Sequence, residues 1–210
     1  MPAPVDVSRP AGGSAVNWPT PKIGRLAAAV RPELDGVWDF DESMDPLRAQ
    51  DLGYGRLLFA IHDHDPGMLD WLTFFVACRG LTVWEGSCHS LRPRLILEEW
   101  RGHLALGRDV DWDEATRATP SPHEDCSYTD TQSASDAVAE CARYLSGRDP
   151  LQAICCVSSV DCAYDHVLTD HRFREWFLDV ALAVALEKRD MTKEERKAYR
   201  PARWTGEGLT

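Results

Sequence analysis

No apolar run in this sequence approaches the roughly 20 residues that a membrane-spanning helix needs. The longest, Trp176 to Leu186, is interrupted by Asp179, so no span is expected. Basic residues are in short supply, with 23 Lys plus Arg against 34 Asp plus Glu and a net charge of −11. That deficit disfavours sequence-independent binding to nucleic acid and to anionic membrane surfaces. It favours a basic partner. A phosphate-cradling loop is also missing, because Gly53-Tyr-Gly55 lacks the later glycine and precedes an expected strand instead of following one. There is no Gly-x-Ser-x-Gly elbow. None of the seven cysteines forms a Cys-x-x-Cys pair, the strong zinc or redox signal. The first residues contain no continuous apolar stretch of the secretory kind. With an odd cysteine count, the expectation is free thiols in a reducing, cytoplasmic setting.

The 210 residues are 44% hydrophobic and 27% charged, an ordinary globular balance. Residues 1–21 are rich in Pro, Gly and Ser and read as an extended arm. A single domain is expected over 22–200, with a frayed tail at 201–210. Arg56 to Ile61 reads as a strand that is apolar on both faces. Asp65-Pro66 is a helix start, with Asp as N-cap and Pro in the first turn. That helix is expected to stop before Gly80. Leu81 to Glu85 and Arg94 to Glu98 read as two further strands, and 107–134 as loop. Helices are expected from Ser135, from Asp149-Pro150, from Asp170 and from Thr192. The fold class is therefore α+β: a small mixed sheet at about residues 56–100 with a crossover helix, packed on a C-terminal helical layer over 135–200.

One run concentrates chemistry. His62-Asp63-His64-Asp65 joins the first expected strand to its helix. Side chains two apart share a strand face, so His62 and His64 point together there. Asp63 points away, and Asp65 caps the helix. The same sheet edge receives Glu85 and His89, and Arg92 and Arg94 enter from the third strand. Two imidazoles with a third ligand from Glu85 or His89 suit a zinc-like divalent metal. Asp63 is then an orienting or general-base carboxylate, and Arg92 and Arg94 hold an anion. This supports the alternative of a metal-dependent hydrolase. Metal-site patterns of the HD-phosphohydrolase, metallo-β-lactamase and cupin kinds each depart within a few residues. No His precedes His62, Pro66 and Gly67 stand where the second needs Asp and His, and Met68 stands where the third needs Glu.

A second theme sets acids beside tryptophan: Trp38, Asp39, Asp41 and Glu42, then Asp109, Asp111, Trp112 and Asp113. Such a surface grips cations through carboxylates and an aromatic face. The leading expectation is a soluble, non-catalytic binding or regulatory protein that engages a basic protein partner there, with no resident cofactor. A third grouping, Cys155, Cys162 and His166, lines up on one helix face and reads as core packing.

Overall fold

The computed structural model describes residues 24–25, 28, 53–88, 90–119, 129–168, 172–181 and 185. The expected arm, the acidic stretch Trp38 to Glu42, His89, the helix from Thr192 and the tail lie outside the described residues. Of the interpretable residues 89% are helical, and no strand occurs among them. The expected α+β fold with a mixed sheet is therefore wrong, and the described architecture is all-α.

The elements are α1 (Gly53–His64), α2 (Pro66–Ser87), α3 (Arg92–Leu106), α4 (Trp112–Ala118), α5 (Thr129–Gly147), α6 (Pro150–Leu168) and α7 (Arg172–Trp176), which runs on into a π-helical turn (Phe177–Ala181). Each expected strand became helix for an identifiable reason. In α1 the buried apolar side chains are Tyr54, Leu57, Leu58 and Ile61, spaced i, i+3, i+4, i+7, the stripe of an amphipathic helix. A strand window opened at Arg56 leaves out Tyr54 and hides that period. In α3, Pro93, Ile96, Leu97 and Trp100 are buried with the same spacing. Pro93 sits in the first turn, where its missing N–H costs nothing.

Between them, α2 passes straight through Gly80 and absorbs the second expected strand. Fifteen of its 22 residues are buried, so it is apolar nearly all round and lies in the middle of the assembly. Gly80 is there for contact and not for termination. A Cβ at that position would meet Val160 Cγ2 at 3.4 Å and the Ala134 carbonyl oxygen at 3.7 Å, so α5 and α6 approach α2 closely there.

The two Asp-Pro starts stand as expected. Asp65 Oδ1 accepts from the Met68 amide at 3.3 Å, with Pro66 opening α2. Asp149 Oδ1 accepts from the Leu151 amide at 3.0 Å, with Pro150 opening α6. Ile154 to Val160, ambiguous by β-propensity, is helix. The expected loop over 107–134 contains α4 and the start of α5. A start at Thr129 lets Thr131 and Ser135 both sit buried. The helices α5 and α6 form a hairpin closed by Arg148 and Asp149 and pack on α2. The buried side chains join into one apolar cluster. Among the described residues no helix is long and apolar enough to cross a membrane.

Candidate functional site

The chain reverses direction at short turns, and three of these share one end of the bundle. They are the α1–α2 turn at Asp65, the α3–α4 turn over 107–111, and the α5–α6 turn at Arg148 and Asp149. Side chains tie them together. The Tyr144 hydroxyl, near the end of α5, donates to Asp70 Oδ1 at 3.1 Å and lies 3.4 Å from the Pro66 carbonyl oxygen. Arg148 Nη2 donates to Asp70 Oδ2 at 2.8 Å. His103, near the end of α3, favours the charged form of Asp70 electrostatically, and its Nδ1 donates to the Arg108 carbonyl at 2.6 Å.

Helices α2, α4 and α6 all begin at this end, and each begins with an aspartate acceptor: Asp65, Asp111 and Asp149. Helix N-termini favour carboxylates, which explains part of the acidity. Asp63 and Asp109 add to it and are exposed, as are Asp111, Glu114 and Asp149. Of the arginines here, Arg148 is turned to Asp70, and Arg108 lies back along α3 over Gly102. Trp112 is half-buried at the rim. Its ring stands edge-on to His103 at 5.1 Å and lies 5.8 Å from Trp100. The turns that carry the sequence runs 62–65 and 109–113 thus lie at the same end of the described bundle.

They do not meet as the expected metal site. On a helix, residues two apart are separated by about 200°, so His62 and His64 point to opposite sides of α1. His62 is half-buried with its Nδ1 3.8 Å from Asp63 Oδ1, and His64 and Asp63 are exposed. Glu85 lies 20 residues along α2 from Asp65, roughly 30 Å of helical rise. Its carboxylate is bound by the Arg94 guanidinium at 2.7 and 2.6 Å. That bidentate pair occupies Arg94, expected to hold an anion, while Arg92 is exposed. His89 and the side chain of Asp113 are outside the described residues. Among the described residues no group of three His, Cys, Asp or Glu side chains could hold a metal ion.

The structure instead shows two buried Tyr–Asp–Arg groupings that sequence reasoning missed. One is Tyr144, Asp70 and Arg148. The other is Tyr54, Asp161 and Arg174, where Tyr54 Oη reaches Asp161 Oδ2 at 3.4 Å and Arg174 Nε lies 3.1 and 3.2 Å from the two carboxylate oxygens. Burial, then the adjacent carboxylate, pushes both tyrosine hydroxyls up, so each stays a donor. The groupings differ in where the arginine sits. Arg148 is 56% exposed against 7% for Asp70, whereas Arg174 is 11% and Asp161 8% exposed.

Water therefore screens Arg148, and burial outweighs its attraction: the Asp70 carboxyl is held above its ordinary range. A carboxyl raised on folding binds its proton more tightly in the native state. Its contribution favours folding at low pH and is lost as pH rises through the raised value. Asp70→Asn is therefore expected to stay within ~1 kcal/mol of the parent at neutral pH. It should also flatten stability against pH just above the ordinary carboxylate range. Thermal melts from pH 4 to 7 check this, and an unchanged pH profile would count against it.

The thiols of Cys78, Cys141, Cys155 and Cys156 are free and buried, and that of Cys162 is free and exposed, while Cys88 is disulfide-bonded. The expectation of free thiols holds at those five cysteines and fails at Cys88. Burial pushes the Cys78, Cys141 and Cys156 thiols well up, away from nucleophilic use. Comparison with protein families, curated proteins and solved structures finds no match to this chain.

Proposed function

We propose that this chain is a non-catalytic binding protein that holds a basic protein partner against its acidic bundle end. One observation supports the reading: Asp63, Asp109, Asp111, Glu114 and Asp149 are all exposed at or beside the turns of one bundle end, where Trp112 is half-buried. The net charge of −11 supports it, because a field of one sign steers a partner of the other. So does the internal use of the buried polar groups. The two tyrosine–aspartate pairs are engaged within the fold, and each carboxylate already has an arginine beside it.

The test is a titration with an arginine-rich peptide, followed by tryptophan fluorescence, at 50 and 300 mM salt. Binding is expected at low salt with a loss of at least tenfold at high salt, as screening shortens to within a few ångströms. A poly-glutamate peptide should not bind. Affinity that ignores salt, or no binding at either concentration, would contradict the reading.

A further inference from the structure

The described surface exposes two large apolar side chains, Leu91 at 61% and Leu95 at 63%. They are one turn apart, since the Leu95 amide donates to the Leu91 carbonyl at 3.1 Å. They therefore form a single stripe at the start of α3, opposite the buried Pro93, Ile96, Leu97 and Trp100. The flanks of that stripe carry charge of both signs in a definite order. Arg92 is exposed before Leu95, and Glu98 and Glu99 are exposed after it.

This order is self-complementary. When two copies of α3 lie antiparallel about a two-fold axis at Leu95, each residue meets the one equally far on the other side. Leu95 then faces Leu95 of the second copy, Arg92 faces Glu98 and Glu99, and Leu91 covers the aliphatic stems of those glutamates. The same patch serves both copies, as an isologous interface requires. A parallel arrangement would set Arg92 against Arg92 and the glutamates against each other.

We infer that this α3 face pairs with a second copy of the same chain as an antiparallel, two-fold dimer. The apolar area is two leucines per copy, so the contact belongs at the weak end of interface sizes, below about 1,200 Å² in total. It forms reversibly as concentration rises. The dimer is independent of the acidic end, which lies at the opposite terminus of α3.

Sedimentation equilibrium over a hundredfold concentration range tests it on the full chain. The mass is expected to rise from monomer toward dimer. Leu95→Lys, an exposed change that keeps a good helix former, should hold the mass at monomer. The sharper test is a charge swap. Arg92→Glu alone should be monomeric, as should Glu98→Arg with Glu99→Arg. An equimolar mixture of the two should recover the dimer, because each end again joins opposite charges. A wild-type chain that stays monomeric throughout would overturn the inference and leave the stripe to a different partner. So would a dimer that Leu95→Lys does not weaken, or a mixture that stays monomeric although circular dichroism shows both variants folded.

Discussion

Asp161→Asn is expected to cost about 3–5 kcal/mol of stability, a fall in Tm of roughly 6–20 °C for a chain of this size. The cost comes from Arg174 more than from the aspartate. Its side chain is 11% exposed, and its Nε lies 3.1 Å from Asp161 Oδ2. Neutralising the carboxylate takes half of this ion pair out of a poorly solvated site, where Arg174 is 11% and Asp161 8% exposed. Tyr54, whose hydroxyl lies within reach of the same carboxylate, sits edge-on against Phe177 at 4.9 Å, so the loss reaches α1, α6 and the π-helical turn together. Adding Arg174→Met removes the buried cation as well and should return part of the stability. Asp70→Asn is the internal control. It has the same three residue types around it, but its arginine can turn to water. If the two asparagine variants melt alike, arginine burial does not set the strength of these groupings.

Trp84→Ala should cost a similar amount, about 3–5 kcal/mol. The side chain is 1% exposed in the core of α2, and its Nε1–H donates to the Ser90 carbonyl at 2.9 Å, closing the turn into α3. Truncation opens a cavity at a fully buried position and releases that turn. Trp84→Phe keeps most of the apolar contact and loses the hydrogen bond, for about 1–2 kcal/mol. Chemical denaturation of the three proteins separates packing from hydrogen bonding. A Trp84→Phe variant as unstable as the alanine variant would place the hydrogen bond, and not the ring, in charge of the site.

Local chemistry was legible in the sequence, and long-range chemistry was not. Asp65-Pro66 and Asp149-Pro150 announced helix starts because a cap and a first-turn proline act within four residues. Trp71, Trp84 and Trp176 read as core residues from the sequence; the first two are buried and Trp176 is half-buried. The strands failed where short apolar windows fit both periods: Leu57 to Ile61 alternates acceptably as a strand, and only Tyr54 reveals the helical stripe. Gly80 was misread because a glycine that ends a helix and a glycine that admits a neighbouring helix look the same in one dimension. The His62 and His64 pair depended wholly on the strand, and the change of period from two to 3.6 sends the two rings apart.

The buried groupings had one sequence signal, a lone aspartate inside an apolar helix: Asp70 within Met68 to Phe75, and Asp161 within Ile154 to Tyr164. Such a carboxylate demands a partner. Its partners lie 74 and 78 residues away for Asp70, and 107 for the Tyr54–Asp161 pair, beyond any spacing rule. The acidic end was half visible. The runs at 62–65 and 109–113 stood out separately, and the up-and-down path of α1 to α6 brought them together.

The most direct measurement compares two variants of equal charge in the arginine-peptide titration. One carries Asp63→Asn, Asp109→Asn and Asp111→Asn at the bundle end, with asparagine preserving the α4 cap. The other carries Glu98→Gln, Glu99→Gln and Glu175→Gln, all exposed and elsewhere. Three exposed charge contacts together amount to about 1–2 kcal/mol, roughly tenfold in affinity. The bundle-end variant should lose that factor while the other stays close to the parent. Equal losses in both would show that net charge alone attracts the peptide, and would contradict a binding site at this end.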